Sequence, residues 1–290
     1  MPDAPLAPAH EAAARTCAGS RALQIVPTGP ANPAKKRNFA LRAMTAEWAA
    51  LVDADAYPRP DWLRQAFREV RDDIGIVAGP NLTPPDDPYR RQVSGLVMRS
   101  PLGFGPAYVR HHPAPRHEPD EMPTCNMLIR RLPGVFFREE FSTAEDMMYC
   151  RDVQAAGFRI VYSPEVVVFH HRRRFPYDLA RQFYFYGRDK GRLFARGNKA
   201  SRLPHMLPAL LLVYLMLLPL MLACPPDAPQ IDRLLLLPGL AYAVLVLMEA
   251  FRCARNPLAA LGGLAAFPLA HLSYGLGYWA GVPKGWRERA

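Results

Sequence analysis

Asp53-Ala54-Asp55 directly follows the apolar run Ala49-Ala50-Leu51-Val52. Two carboxylates leaving a buried strand stand where open α/β sheets collect ligands, at the carboxyl ends of strands. Carboxylate oxygens are hard ligands suited to Mg²⁺ or Mn²⁺, and such a cation can grip a diphosphate. A second acidic pair lies about ninety residues further on, in Phe141-Ser142-Thr143-Ala144-Glu145-Asp146. Ser142 and Glu145 have the spacing of a capping box, which gives Glu145 a structural reason to be there. Asp146 gains nothing from that box. A carboxylate in the first turn of a helix is held as an anion by the dipole, and beside a hydroxyl it can act as a general base. One D-x-D carries little weight alone. Aspartates at strand ends often cap helices or open turns, and Tyr57-Pro58-Arg59-Pro60 reads as a turn.

The surrounding elements decide whether these groups can meet. Arg21–Pro27, Trp48–Val52, Ile74–Ala78, Met122–Ile129, Ile160–Tyr162 and Val166–Phe169 read as short strands. Helical character falls on Ala34–Ala46, on Ser142–Ala156, and on Asp61–Arg71, where Trp62, Ala66, Phe67 and Val70 share a face. This alternation predicts an α/β sheet. The last strand ends in His170-His171, and strand alternation sends those two rings to opposite faces, so at most one reaches a common site. Pro101–Pro119 is rich in Pro, Gly and His and reads as a long loop. His111, His112 and His117 within it lack the regular spacing of metal ligands.

The chain of 290 residues carries a net charge of +10, and ten Lys/Arg against two Asp fall between Arg172 and Arg202. No zinc-finger or RNA-recognition pattern accompanies that cluster, and apolar segments follow it, so membrane lipids rather than nucleic acid are its expected partner. Tyr177–Arg196 reads as a long amphipathic helix that sets Arg181, Arg188 and Arg192 among aromatics, as at a membrane interface. Met206–Ala223, Leu234–Phe251 and Leu258–Trp279 each approach the length of a membrane span. The loop Cys224–Asp232 has two Asp and no base, whereas Arg252 and Arg255 follow the second span, which places the soluble domain in the cytoplasm. Lys284, Arg287 and Arg289 would then fall outside if all three segments crossed. The region 206–280 is therefore expected to hold two or three transmembrane helices, the Gly-rich third segment either crossing or re-entrant. Cys17, Cys125, Cys150, Cys224 and Cys253 are odd in number and scattered, without any C-x-x-C, which argues against a disulfide framework or zinc site. Residues 1–20 form a Pro/Ala-rich leader without the basic start and apolar core of a secretory signal, and are expected to lack fixed structure.

The order of these motifs resembles the family 2 glycosyltransferases. A strand ends in D-x-D, a helix opens with Glu145-Asp146, a strand ends in His170-His171, and Arg181-Gln182 with Gly187-Arg188 precede the apolar spans. The string His271-Leu272-Ser273-Tyr274-Gly275-Leu276-Gly277-Tyr278-Trp279 is similar to the end of the family's membrane-anchored, polysaccharide- or succinoglycan-type members. The resemblance runs from about Leu23 to Gly285. It implies a GT-A (Rossmann-like) nucleotide-sugar domain over residues 21–200, with an interfacial helix at 177–196, followed by α-helical transmembrane segments. It implies inverting transfer of a sugar from a nucleotide-sugar donor to a lipid-linked or polysaccharide acceptor at the cytoplasmic membrane. Under it, Asp53 lies near the ribose or the metal, and Asp55 ligates Mg²⁺ or Mn²⁺, with His170 as a further ligand. Asp146 is the base and Glu145 its supporting neighbour. Arg37 and Asn38 in Lys36-Arg37-Asn38 approach the nucleotide, Asn126 lies on the acceptor side, and Arg181, Gln182 and Arg188 contact pyrophosphate. The spacing around Arg181 departs from the Q-x-x-R-W form of processive synthases, which favours transfer of single sugars.

The family's opening strand with its Pro-x-x-Asn-Glu-like turn is not found here, nor is the following strand ending in a base-reading Asp. The expected domain is thus incomplete at its N-terminus, by roughly sixty residues. That departure motivates an alternative, a non-catalytic membrane relative acting as a binding or assembly partner.

Overall fold

The computed structural model describes residues 4–20, 22–140, 145–197, 203–223, 229–254 and 256–289. In chain order the elements are α1 (Pro8–Ala18), α2 (Pro33–Ala43), β1 (Trp48–Val52), β2 (Ala56–Pro58), α3 (Trp62–Arg68), β3 (Ile74–Ala78) and β4 (Asn81–Leu82). They continue with α4 (Tyr89–Met98), α5 (Pro101–Phe104), β5 (Asn126–Arg130), α6 (Glu145–Ala155), β6 (Arg159–Tyr162) and β7 (Val168–His170). Four long helices follow: α7 (Tyr177–Ala195), α8 (Leu207–Ala223), α9 (Pro229–Cys253) and α10 (Pro257–Arg287). The chain divides into two compact units. The first holds Met1–Asp53, Pro60–Gly79 and Pro115–Val166, the second Ala54–Arg59, Pro80–Ala114 and Val167–Ala290.

The first unit is built on a four-stranded sheet of order β1-β5-β3-β6, in which β5 runs antiparallel to both neighbours and β3 pairs parallel with β6. All five residues of β3 are buried, as a central strand covered on both faces requires. At Gly75 a Cβ would stand 2.5 Å from Val153 Cγ1, so the glycine lets α6 close onto the strand. Phe137 and Tyr149 stack over the same helix with ring centroids 4.1 Å apart. Trp62 of α3 buries its indole and donates Nε1–H to Asn126 Oδ1 at 2.7 Å, while Asn126 Nδ2 donates to Val166 O at 2.7 Å.

The second unit begins with a small sheet of order β2-β7-β4. β2 runs antiparallel to β7 with Ala56 opposite His170, and β4 runs parallel to β7. Behind it α4, α7, α9 and α10 share a core of Val93, Val97, Leu179, Phe183, Val246 and Ala266. α7 and α10 meet through glycines. A Cβ on Gly187 or Gly191 would lie 2.0 Å from the carbonyl oxygen of Tyr274 or Tyr278, and one on Gly281 2.0 Å from Arg188 O.

Several expectations need correction. Pro8–Ala18 is helical rather than without structure: Pro8 starts the helix, alanines favour it, and Arg15 reaches Glu11 one turn back at 2.6 Å. Residues 22–28 form no strand; Leu23 there is exposed and pairs with no neighbouring strand. Tyr57-Pro58 belongs to β2, where Pro58 is tolerated because the strand is at a sheet edge. Pro101–Pro119 is not a continuous loop. Ser100 Oγ accepts from Leu102 N and Gly103 N and Pro101 opens α5, after which Gly105–Arg110 makes a 3₁₀ helix. α10 is one uninterrupted helix of 31 residues, and α9 and α10 are long and apolar enough to cross a membrane whereas α8 is shorter. The expected cap at Ser142 lies outside the described residues.

Candidate active site

In the first unit β1 ends at Val52, so Asp53 leaves the sheet at its carboxyl end. Arg37 reaches it from α2: Nη2 lies 3.6 Å from Asp53 Oδ1 and Nη1 lies 3.0 Å from Glu145 Oε1. The same guanidinium lies 5.4 Å from the centre of the Phe137 ring. Glu145 is buried at the start of α6, and a buried carboxylate needs such a partner to remain charged. Asp146 follows it in the first turn, and its Oδ1 accepts from Met147 N at 2.7 Å. One arginine thus ties the two acidic segments that the sequence placed far apart.

In the second unit the register of β2 against β7 brings Asp55 and His170 together. Asp55 immediately precedes Ala56, the partner of His170, and His171 N donates to Asp55 O at 3.0 Å. The side chains meet at 3.0 Å between His170 Nε2 and Asp55 Oδ1, with Arg173 Nη2 3.8 Å from Asp55 Oδ2. The hydrogen bond from His170 lowers the Asp55 carboxyl to about 2, aided by the charges of His170 and Arg173 and opposed by partial burial. Asp55 is therefore an anion throughout the physiological range. Ligand atoms of Asp55 and His170 lie within 4.8 Å of each other, and a carboxylate with an imidazole is a donor set that Mn²⁺ accepts.

Behind His170 stands a polar group the sequence reading missed. Arg172 is buried and donates to Asn81 Oδ1 at 3.1 Å, to Thr83 Oγ1 at 3.0 Å and to Asn81 O, with Nη1 3.5 Å from His170 Nδ1. Asn81 Oδ1 also receives His111 Nδ1, whose ring burial keeps neutral by lowering its pKa well below the usual imidazole value. His171 turns instead to Asp87, 2.6 Å away, as alternation along the strand predicts. Arg172 was masked by its setting, a run of three arginines that reads as surface charge.

Other expected site residues have structural work. Asn38 is buried, exchanges hydrogen bonds with both backbone groups of Phe137 at 2.8 Å and donates to Glu139 Oε1. Asn126 is fully buried between Trp62 and Val166. On α7 Arg181 and Arg188 flank the Phe185 ring at 5.7 and 4.6 Å, Arg188 also meets Asp189, and Gln182 Nε2 donates to Tyr186 Oη at 2.9 Å.

With this geometry in view the likeness to known proteins is specific. The glycosyl transferase family 2 model matches residues 7–133, which include Arg37, Asp53 and Asp55 and end before Glu145. The pre-mycofactocin glycosyltransferase of Mycobacterium tuberculosis, in two strains, is 30% identical over 159 residues, 53% of this chain and 33% of the relative. The chain thus spans a third of the length of the curated relatives it matches. The solved mannosyltransferase PcManGT from Pyrobaculum calidifontis, in complex with GDP-Man and Mn²⁺, superposes with a TM-score of 0.52 at 18% identity, covering 91% of this chain and 72% of that one. Residues 7–133 are thus similar to the family 2 glycosyltransferases, and the chain has a mixed α/β GT-A fold, with apolar helices after it.

Proposed function

We propose that the protein is an inverting glycosyltransferase that moves a sugar from a nucleotide-diphosphate donor to a lipid-linked or polysaccharide acceptor at the cytoplasmic membrane face. The observation that carries this reading is the Asp55–His170 pair at the end of D-x-D, an anion beside an imidazole in a chain whose residues 7–133 match the glycosyl transferase family 2 model. Asp53, two residues before Asp55 in the sequence, is the other carboxylate of the D-x-D. Bound there, Mg²⁺ or Mn²⁺ would neutralise charge developing on the leaving diphosphate. The GDP-Man and Mn²⁺ of the Pyrobaculum structure are in keeping with such a donor and ion.

The chain's own groups supply the rest. Asp146 takes the proton of the acceptor hydroxyl as that oxygen bonds to the anomeric carbon and the carbon–phosphate oxygen bond breaks on the opposite face. Arg37 pairs with Glu145 and, less closely, with Asp53, and so offsets part of the negative charge that would repel a donor phosphate. Arg181, Gln182 and Arg188 lie on the α7 surface suited to a phosphate or a lipid headgroup. Asp146→Asn is expected to lower transfer by about 10²–10⁴ and leave donor binding intact, the range for removing a general base. Loss of both together would overturn its role.

The test of the whole reading is calorimetric binding of UDP, GDP and dTDP to detergent-purified protein, with and without Mn²⁺, beside Asp55→Ala. Metal-dependent binding of one nucleotide, lost in the variant, supports the enzyme. Binding of none would leave a non-catalytic membrane partner as the better description.

A further inference from the structure

We infer that α10 does not cross the membrane: along its whole length it stays in the layer of the basic helix α7, and only the α8–α9 hairpin enters the hydrocarbon. This rests on the membrane attachment proposed above and is read out without any transfer assay.

The argument begins with direction and level. Gly187 faces Tyr274, Gly191 faces Tyr278, and from the other side Gly277 faces Tyr184 and Gly281 faces Arg188, each at backbone contact. Residue numbers rise together on both helices, so α7 and α10 run parallel and share the same depth over several turns. α7 carries Arg181, Arg188, Asp189, Lys190 and Arg192 on that stretch. A charge at the bilayer centre costs about 2.5–3.5 kcal/mol even on the mildest scale, so α7 cannot span, and α10 is locked to α7.

The first half of α10 is held by elements just as polar. Tyr89 of α4 donates to Leu258 O at 3.0 Å, Val93 packs where Gly262 lacks a Cβ, and His271 Nε2 lies 2.9 Å from Leu102 O. α4 also brings Arg90 and Arg91. At the far end Glu288 pairs with both Arg192 and Arg196 of the α7 terminus. Half of the apolar window of α10 is buried in the protein against 11% of that of α9. The apolarity of α10 is that of a core helix, whereas the apolarity of α9 is left facing outward.

What faces lipid is then plain. α8 exposes Leu210, Met216 and Leu220, and α9 exposes Leu234, Leu240 and Met248. The outer stripe of α10, with Leu258, Leu261, Leu276, Trp279 and Trp286, lies at helical spacing and ends in indoles, the pattern of a helix resting at the headgroup boundary. Lys284, Arg287 and Arg289 then lie on the same side as the basic stretch Arg172–Arg202, and the charge conflict created by three crossings disappears. Anionic lipid is the partner this surface fits.

The experiment uses the full chain with Cys17 and Cys224 changed to serine and one new thiol at a time: Asp86→Cys before α4, Arg289→Cys in the tail, and Pro226→Cys between α8 and α9. Sealed inside-out and right-side-out vesicles are treated with a membrane-impermeant maleimide, and parallel samples are washed in alkaline carbonate. The expected result is labelling of the Asp86 and Arg289 positions from the same face, no labelling of the Pro226 position from that face, and retention of the chain in carbonate. Labelling of the first two from opposite faces would overturn the inference while leaving membrane attachment standing. Labelling of all three from one face, or release by carbonate, would overturn the inserted hairpin, and release would overturn attachment as well.

Discussion

The sheet of the first unit and the α7–α10 pair of the second are both tightly closed, by opposite means. β3 is shut in by branched and aromatic side chains, with Ile74, Ile76 and Val77 at its centre. α7 and α10 are shut by the lack of side chains, since glycines let one helix backbone rest on the other. Side-chain packing tolerates the loss of a methylene at graded cost, because neighbours partly relax. Backbone contact has no such reserve: any added atom must push a whole helix. The difference teaches where each unit can vary. The sheet can trade one apolar residue for another, whereas the helix pair can trade almost nothing at its glycines.

That contrast can be broken at several points. Gly281→Leu should be the most damaging change, destabilising by about 3 kcal/mol as α10 is forced off Arg188, with a lower thermal midpoint in detergent. Retention of the wild-type midpoint would mean that the helices separate freely. Arg37→Met removes the partner of a buried carboxylate and should cost about 2 kcal/mol. The additional change Glu145→Gln should recover part of that loss, and no recovery would dissolve the proposed tie. Ile76→Val in the centre of β3 should cost only about 1 kcal/mol, visible as a small shift of the denaturant midpoint. The smallest effect concerns pH. His111 has a folded pKa depressed by burial, so the stability linked to it is full above about 6.5 and is lost as pH falls below that value. Thermal midpoints between pH 7.5 and 5.5 should fall in the wild type and stay flatter in His111→Asn.

The same contrast explains what the sequence made legible. β1 and β3 stand where their apolar runs predict, β6, β7 and α7 fall within one or two residues of expectation, and α6 ends within one. Those elements are written in periodic side chains, so pattern reading reaches them. β2 and β4 span only three and two residues, too short for any period to show, and both depend on pairing with β7 far along the chain. D-x-D and Glu145-Asp146 were visible as acidic pairs, yet nothing local told that Arg37 would join them. Asn38 and Asn126 looked like ligand-facing amides. Their partners Phe137 and Trp62 lie 99 and 64 residues away, and burial is a property of the fold rather than of the tripeptide. Arg172 shows the converse, a buried hub inside what reads as a surface run.

The pairing of Ala56 with His170 has an evolutionary consequence. An antiparallel ladder counts residues, and a shift by one turns every side chain to the other face. Because Asp55 meets His170 only through that count, a single-residue insertion in Ala56–Pro58 or in Val168–His170 would separate the pair without replacing either member. Substitution scans would miss this weakness. Insertions and deletions should therefore be rare in these two short segments among active relatives, whatever happens to the identity of the residues within them.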